Sequence, residues 1–595
     1  MRGIVTAIVY NKKDALCFLK DAPIVDRVYP MTPNAYVELI DHTKAELLTT
    51  EQYYTDYCHR KVIVKVRRAE REVKPLIENH NGLSVAGKEL FFSLFHVLAS
   101  SCYYLYYSIN KLGPWMIYDG ANWIYTKDLS SAYKLFANNV FKNHYPTYFD
   151  HALKTNNQLS AIALIANYFT VKQLIKNNKC VWTTGVEYGL NELNNLITKA
   201  DSGIVIVFIR PVSLRTLVRS VKDVLFSFIP FCEIKAVGLF AIASNKTSSN
   251  LSCIFNELTD IPFISIVPLV HEYIKRSIEY IDSNEKSVYK VFSDTLPKVL
   301  ISHHLKFKEP LLLGAAAKKY GVPSVLISHG SHPVSLDKTS EYELNANARN
   351  MLVSCLADET VAQTPFALDY IKTNQPKAKL RKSLPIMWGY RKLSKINRKI
   401  NKRVILHAGT AKIFGIRPWI YETPSEYVIG LQQLVLAVNK MENVLLIIRP
   451  RISQECSLNT LKRLLSLGNN CIIKTGGSFL NILAEADLLV SFSSTTIEES
   501  LYARTPVALF GGSNRYRHLP GSAEFPTTGH RKAVYHLNKI NMVEMLDSIL
   551  NLHESQPLTD IELRDYIWQE STPNRDDFVR DIVRLSSNNL EYTNK

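Results

Sequence analysis

Four hydroxyl-bearing residues in a row, Ser493, Ser494, Thr495 and Thr496, follow directly on an apolar run from Leu488 to Phe492. They lead into a helical stretch with Glu498 and Glu499 near its start. A strand ending in such a corner and turning into a helix can grip an anion. The first backbone N–H groups of a helix have no partner of their own, the aligned peptide dipoles leave a partial positive charge there, and hydroxyls add donors. The same residues could do no more than cap the helix, with the glutamates favoured by the dipole. The following strand, Pro506 to Gly512, tips the balance, because strand, corner, helix and strand together wall a cleft at the carboxyl edge of a parallel sheet.

Three further runs have the same character. Val325 to Pro333 reads VLISHGSHP, a strand that delivers His329, Gly330 and His332 to its carboxyl end. An imidazole there can donate to a phosphate or act as acid or base near neutral pH, and Gly330 lets the backbone approach a ligand closely. Val404 to Thr410 reads VILHAGT and brings His407, Gly409 and Thr410 to another strand end, with Lys412 and Arg417 nearby to offset phosphate charge. Val444 to Arg451 ends in Arg449 and Arg451, whose guanidinium groups suit two-point contact with phosphate or carboxylate, or a surface ion pair.

The run from Asp487 to Phe510, DLLVSFSSTTIEESLYARTPVALF, resembles the donor-nucleotide half of GT-B glycosyltransferases. More narrowly it is similar to the transferases of bacterial capsule and surface polysaccharides, Kdo transferases among them, and to the glycerophosphate transferases of teichoic acid synthesis. The resemblance covers Pro310 to Gly512; before Pro310 it rests on architecture. It implies an α/β protein of GT-B type, with two Rossmann-like domains facing across a cleft and the nucleotide of an activated sugar held by Ser493 to Thr496 and Glu498. Gly330, His332, His407, Gly409, Thr410, Arg449 and Arg451 are the further donor-binding candidates. His332-Pro333 resembles the His-Pro pair of CMP-sialic acid transferases, although in those enzymes the pair lies in the second domain. An inverting transferase also needs a base near the acceptor hydroxyl, usually from the first domain. Asp119, in MIYDGANW, resembles the acidic-Gly motif of some sialyltransferases, with Tyr118 in place of one acidic residue; Glu187 and His329 are the other catalytic candidates, and Asp337 and Glu422 are further cleft carboxylates. No DxD triplet or metal-ligand spacing occurs, so metal-independent transfer without a cofactor is expected, with dipole and basic side chains stabilising the leaving phosphate.

The elements that must position these residues alternate along the chain. Strands are expected at Ile4 to Tyr10, Trp115 to Tyr118, Ile204 to Ile209, Phe263 to Val267, Val299 to Ser302 and Ser324 to Ser328. A helix is expected at Pro310 to Tyr320, and a second alternating set begins at Val404. Such alternation predicts parallel sheets with helices on both faces. Gly389 to Arg403, basic and poor in apolar residues, reads as a linker between residues 1–388, an acceptor domain with helical insertions, and residues 404–555, the donor domain; residues 556–595 read as a helical tail.

The chain has 595 residues, 46% of them hydrophobic and 21% charged, a globular composition with room for more than one core. Its nine cysteines form no CxxC pair, which predicts reduced thiols in a cytoplasmic protein. Phe91 to Ile109 is just long enough to span a bilayer, but His96, four serines and four tyrosines predict a buried helix instead. The net charge of +17 favours an anionic partner, here a nucleotide-sugar donor and, peripherally, the anionic inner membrane face where lipid-linked glycan acceptors reside. Two other functions fit the same residues: glycerophosphate or polyol-phosphate transfer from a CDP donor, and a basic nucleic-acid or membrane binding protein without catalysis. No nucleic-acid recognition signature is present, so no nucleic-acid partner is expected. Nucleotide-sugar 2-epimerases share the scaffold but are normally shorter.

Overall fold

The computed structural model describes residues 3–144, 180–184, 188–210 apart from 202, 234–238, 267–388 apart from 307 and 332–333, 402–410, and 421–587 apart from 454, 528–529 and 555. Within these residues the strands form three sheets. The first holds β1 (Thr6–Val9), β2 (Arg27–Pro30), β3 (Glu46–Leu47), β4 (Trp115–Tyr118) and β5 (Trp123–Thr126), in the order β3-β2-β1-β4-β5. All its pairs are parallel except the β4–β5 hairpin. The second holds β6 (Cys180–Thr184), β7 (Val205–Arg210), β8 (Ile234–Gly238), β9 (Val299–Ser302), β10 (Ser324–Ile327), β11 (Glu359–Ala362) and β12 (Lys379–Lys382), in the order β12-β11-β10-β9-β6-β7-β8. The third holds β13 (Arg403–Ala408), β14 (Val444–Arg449), β15 (Cys471–Ile473), β16 (Leu488–Ser491), β17 (Val507–Leu509) and β18 (Val534–His536), in the order β15-β14-β13-β16-β17-β18.

The second and third sheets are parallel throughout and are the pair of Rossmann-like α/β lobes that a GT-B architecture requires. Their central strands read as unbroken apolar runs because helices cover both faces: β9, β10 and β16 are buried at every residue. In each lobe the strand order reverses once, between β6 and β9 in the second sheet and between β13 and β16 in the third. At such a reversal the connections leave in opposite directions and a crevice opens beyond the carboxyl ends of the two strands.

The first sheet does not stand apart from the second. Helices Asp56–Glu78, Val85–Ile109, Val267–Thr295 and Lys308–Lys319 pack between them, and one buried cluster runs from Ile8 and Tyr29 through Phe95 and Ile278 to Leu300 and Leu326. Val85–Ile109 starts where the Ser84 hydroxyl accepts from the Gly87 amide, and it buries nearly its whole length, as its polar content led us to expect. No helix among the described residues is long and apolar enough to cross a membrane. Every described cysteine is free.

Of the expected strands, one needs correcting. Val267, placed at the end of a strand from Phe263, instead opens the helix Val267–Thr295, whose apolar residues recur on one face; the rest of that run lies outside the described residues. Most of the basic stretch from Gly389 likewise lies outside them, Arg403 being the first residue of β13. After the third sheet the chain returns to the second. Helix Arg575–Ser587 buries Phe578, Val579 and Ile582 against Val181, Leu190 and Leu193. Ion pairs from Arg575 to Glu192 (3.0 Å) and from Arg381 to Asp581 (2.7 Å) flank that contact.

Candidate functional site

The hydroxyl corner lies at the reversal of the third sheet. β13 and β16 are neighbours there, so Gly409 and Thr410 at the end of one meet Ser493 to Thr496 at the end of the other. Side chains tie the two strand ends together. The Ser491 hydroxyl donates to the Ala408 carbonyl (2.9 Å), and the Ser493 hydroxyl donates to the Thr410 hydroxyl (3.2 Å). The short helix Thr496–Tyr502 follows. Thr495 occupies its N-cap position in a helical conformation and makes no side-chain cap; the Ser494 hydroxyl accepts from the Thr496 amide at 3.3 Å. Capping therefore occupies one hydroxyl of the four, and weakly. Ser494, Thr495 and Thr496 are half-buried, and the Thr496 hydroxyl oxygen is buried without a hydrogen-bond partner.

Arg449, at the end of β14, lies beside this edge in register: the Gly409 amide donates to its carbonyl (3.2 Å). Its Nη2 donates to the Gly477 carbonyl (2.8 Å) and its guanidinium lies 5.8 Å from the Phe479 ring centre, while Nη1 is buried with no partner. A buried guanidinium nitrogen without an acceptor is costly, and an anion in the crevice would relieve it. Arg451 lies exposed beyond the strand. Glu499 completes this region: burial first, then the adjacent Glu498 charge, push its carboxyl up to about 8, against the pull of Arg449. Near neutral pH it is thus largely protonated and adds little repulsion to an incoming phosphate.

The other lobe faces this corner. β10 ends in Ser328, His329 and Gly330, and the backbone of Gly330, at a φ of +155°, runs so close to the corner that an added Cβ would sit 3.1 Å from the Thr495 methyl and 3.4 Å from Glu498 Oε1. A side chain at 330 would crowd Thr495 and Glu498 and strain the backbone at this φ, which is the physical reason for glycine there. Glu498 is fully buried. Its Oε1 accepts from the Ser331 amide (2.8 Å) and from His518 Nε2 (2.9 Å). Burial alone would raise its carboxyl, but the His518 charge and these hydrogen bonds together hold it below the ordinary value.

Two residues of this site escaped the sequence reading. His303 and His304 follow β9 as His329 follows β10. The His303 ring, buried, lies 4.7 Å from that of His304 and 5.1 Å from that of His329, centre to centre. The signal was present, since Ser302-His303-His304 repeats the Ser328-His329 pattern at the end of the preceding strand.

The remaining expected residues fall elsewhere. Asp119 occupies the turn of the β4–β5 hairpin in the first sheet and accepts from the amides of Ala121 and Asn122 (2.8 Å each). The Asn122 and Ala121 amides hold its carboxyl below its ordinary value. His407 is buried on the helix-covered face of β13, its ring 6.1 Å from that of Tyr427. It borders a small cavity, with room for little more than one water, that Glu422, Phe510 and Gly511 also line. Glu422 accepts from the Gly512 amide (2.8 Å), and Asp337 caps the helix Lys338–Ala348. Glu187, His332, Lys412 and Arg417 lie outside the described residues. Among the described residues no group of His, Cys, Asp or Glu could hold a metal ion.

No protein-family profile and no curated protein matches the chain in sequence. Solved structures do. The chain is similar to UDP-GlcNAc 2-epimerase from Neisseria meningitidis bound to UDP-GlcNAc (12% identity, 68% of this chain and 98% of that one, TM-score 0.36). It is also similar to the glycosyltransferase SnogD from Streptomyces nogalater (10% identity, 68% and 99%, TM-score 0.35). A third is the wall teichoic acid polymerase TagF soaked with CDPG (12% identity, 73% and 98%, TM-score 0.33). Likenesses at this level leave the fold to rest on its own strand order and carry nothing about activity.

Proposed function

We propose that the chain is a metal-independent glycosyltransferase that moves a sugar from a nucleotide-activated donor, CMP-linked by preference, to a growing cell-surface glycan. The observation that carries this is the crevice between β13 and β16. An incompletely satisfied guanidinium on Arg449, an unpartnered Thr496 hydroxyl and the Ser494–Thr495 corner are gathered there at one sheet edge, against Gly330, the residue after His329, on the other lobe. The donor phosphate occupies that crevice. An acceptor hydroxyl attacks the anomeric carbon, the carbon–oxygen bond to the phosphate breaks, and the nucleotide leaves with its bonding pair, stabilised by Arg449 and the corner donors. His329 takes the acceptor proton. It is preferred over Asp119, whose carboxylate is engaged by its own turn. The net charge of +17 supports an acceptor held near anionic lipid.

The test is calorimetric titration of the folded protein with CMP, UDP and GDP. One of them binds, and Arg449→Ala weakens it about tenfold to a hundredfold, the worth of one charged hydrogen bond. Binding of none of the three overturns the proposal. The packing of His303, His304 and His329 at adjacent strand ends favours a second reading, transfer of glycerol phosphate or a polyol phosphate from a CDP donor, since phosphoryl transfer draws on several proton-bearing groups. Product mass separates the two: an added sugar against an added glycerol phosphate.

A further inference from the structure

A carboxylate removed from water on every side is held only where it gains strong partners that offset its lost hydration. Glu498 has 0% exposure, and its two partners come from different places. His518 belongs to its own lobe and is oriented from behind by Tyr516, whose hydroxyl lies 2.9 Å from His518 Nδ1. The Ser331 amide belongs to the other lobe, two residues after His329. The Ser331 hydroxyl in turn pairs with that of Thr364 (2.9 Å), and the Gln363 side-chain amide donates to the Ser328 carbonyl, so the segment from Ser328 to Ser331 is pinned at both ends. Three further contacts cross between lobes around it: the Val334 amide donates to the Arg517 carbonyl (2.9 Å), the Tyr502 hydroxyl donates to the Gln363 carbonyl (3.1 Å), and Gly330 abuts Thr495.

We infer that Glu498 is a positioning residue: through the Ser331 amide it fixes the His329 loop to the helix that begins at the hydroxyl corner. Resting on the transfer function proposed above, the inference adds that the donor site and His329 move as one unit. Thr496, whose hydroxyl is buried without a partner, and Glu498 lie within one turn of the same short helix. A phosphate that draws in the start of that helix therefore draws in the His329 loop, and a nucleotide that leaves releases it. Glu498, expected from the sequence to touch the donor, acts through His329 instead.

Hydrogen exchange of the segment 328–335, with the imidazole signal of His329 followed by NMR, tests this without any nucleotide. Glu498→Gln keeps the shape and an acceptor oxygen but removes the charge. Exchange in 328–335 is expected to accelerate about tenfold or more, the share of one charged hydrogen bond, and the His329 signal to shift, with the rest of the second lobe unchanged. Gly330→Ala presses on the same contact from the opposite side, its added Cβ meeting the Thr495 methyl at 3.1 Å and Glu498 Oε1 at 3.4 Å while the carboxylate charge is kept, and gives the same local loosening even where the Glu498 variant folds poorly. Unaltered exchange in 328–335, or loosening spread evenly through both lobes, overturns the inference. In a second arm, whichever of CMP, UDP or GDP binds the wild type is expected to slow exchange in 328–335 there and to leave that segment of Gly330→Ala fast. Equal slowing in both also overturns it. If no nucleotide binds, the transfer function falls, while exchange in the unliganded variants still decides the role of Glu498.

Discussion

Glu499 shows how burial sets the charge of the hydroxyl corner. Its carboxyl is raised from 4.5 to about 8, by burial first and by the Glu498 charge second. The folded chain therefore keeps a proton there that the unfolded chain gives up as pH rises past about 4.5. Between these values the folded state binds more protons, so stability falls as pH rises through the window and levels off above about 8. Glu499→Gln is expected to lose this slope and to melt higher than the wild type at pH 8, while the two converge at low pH. Thermal denaturation across pH 4.5–8 checks it; a wild type whose melting temperature rises with pH in step with the variant would show that the carboxyl is not proton-bearing.

At the level of elements, the third lobe is closed by glycines. The loop after β17 crosses the start of helix Pro424–Val438 so closely that a Cβ on Gly512 would lie 1.8 Å from the Glu426 carbonyl oxygen, and one on Gly430 would lie 2.7 Å from the Gly512 amide nitrogen. Glu422 accepts from that same amide. Neither backbone can yield without moving the Glu426–Arg515 pair, whose Nη1–Oε1 distance is 2.7 Å. Gly512→Ala is expected to cost at least about 1–3 kcal/mol, the usual range for overpacking, with a lower denaturation midpoint and an unchanged slope in urea. The elements of both lobes were legible where a strand is apolar throughout and its helix periodic: β4 and β9 have the expected bounds, and β10 and β16 end one residue early. The hydroxyl corner and the His329 strand end were legible for the same reason, since a buried strand that suddenly turns polar announces its carboxyl end. β2, β11 and β12 were not, because Arg27, Glu359 and the charged run Lys379–Lys382 interrupt the apolar pattern, and only their neighbours in the sheet make them strands. The partnership of Glu498 with Ser331 was beyond any local pattern: the residues are separated by 167 positions and meet through the arrangement of two lobes.

Across the whole molecule, the chain's last described helix ties the lobes together a second time. Phe578 is 2% exposed and packs with residues of the second sheet, far in sequence from the third sheet that precedes it. Phe578→Ala is expected to remove about 3–5 kcal/mol, as for other buried aromatic residues, and to raise hydrogen exchange in Tyr188–Ala200 first, since that helix bears the contact. Loss confined to the third lobe would contradict the packing. The N-terminal unit is bound in from both directions as well. Asn34 accepts from the Ser457 amide (3.0 Å), Asp56 pairs with Arg515 (2.9 Å), and His59 meets Glu343 (3.0 Å).

That unit also shares its apolar interior with the second sheet: Phe95, Tyr103 and Phe136 belong to one buried cluster with Leu300, Leu311 and Leu326. The first 144 residues are therefore foundation and not ornament. A shortened chain begun at residue 180 would leave those leucines facing water, and the fragment would clump before either lobe could be assayed alone.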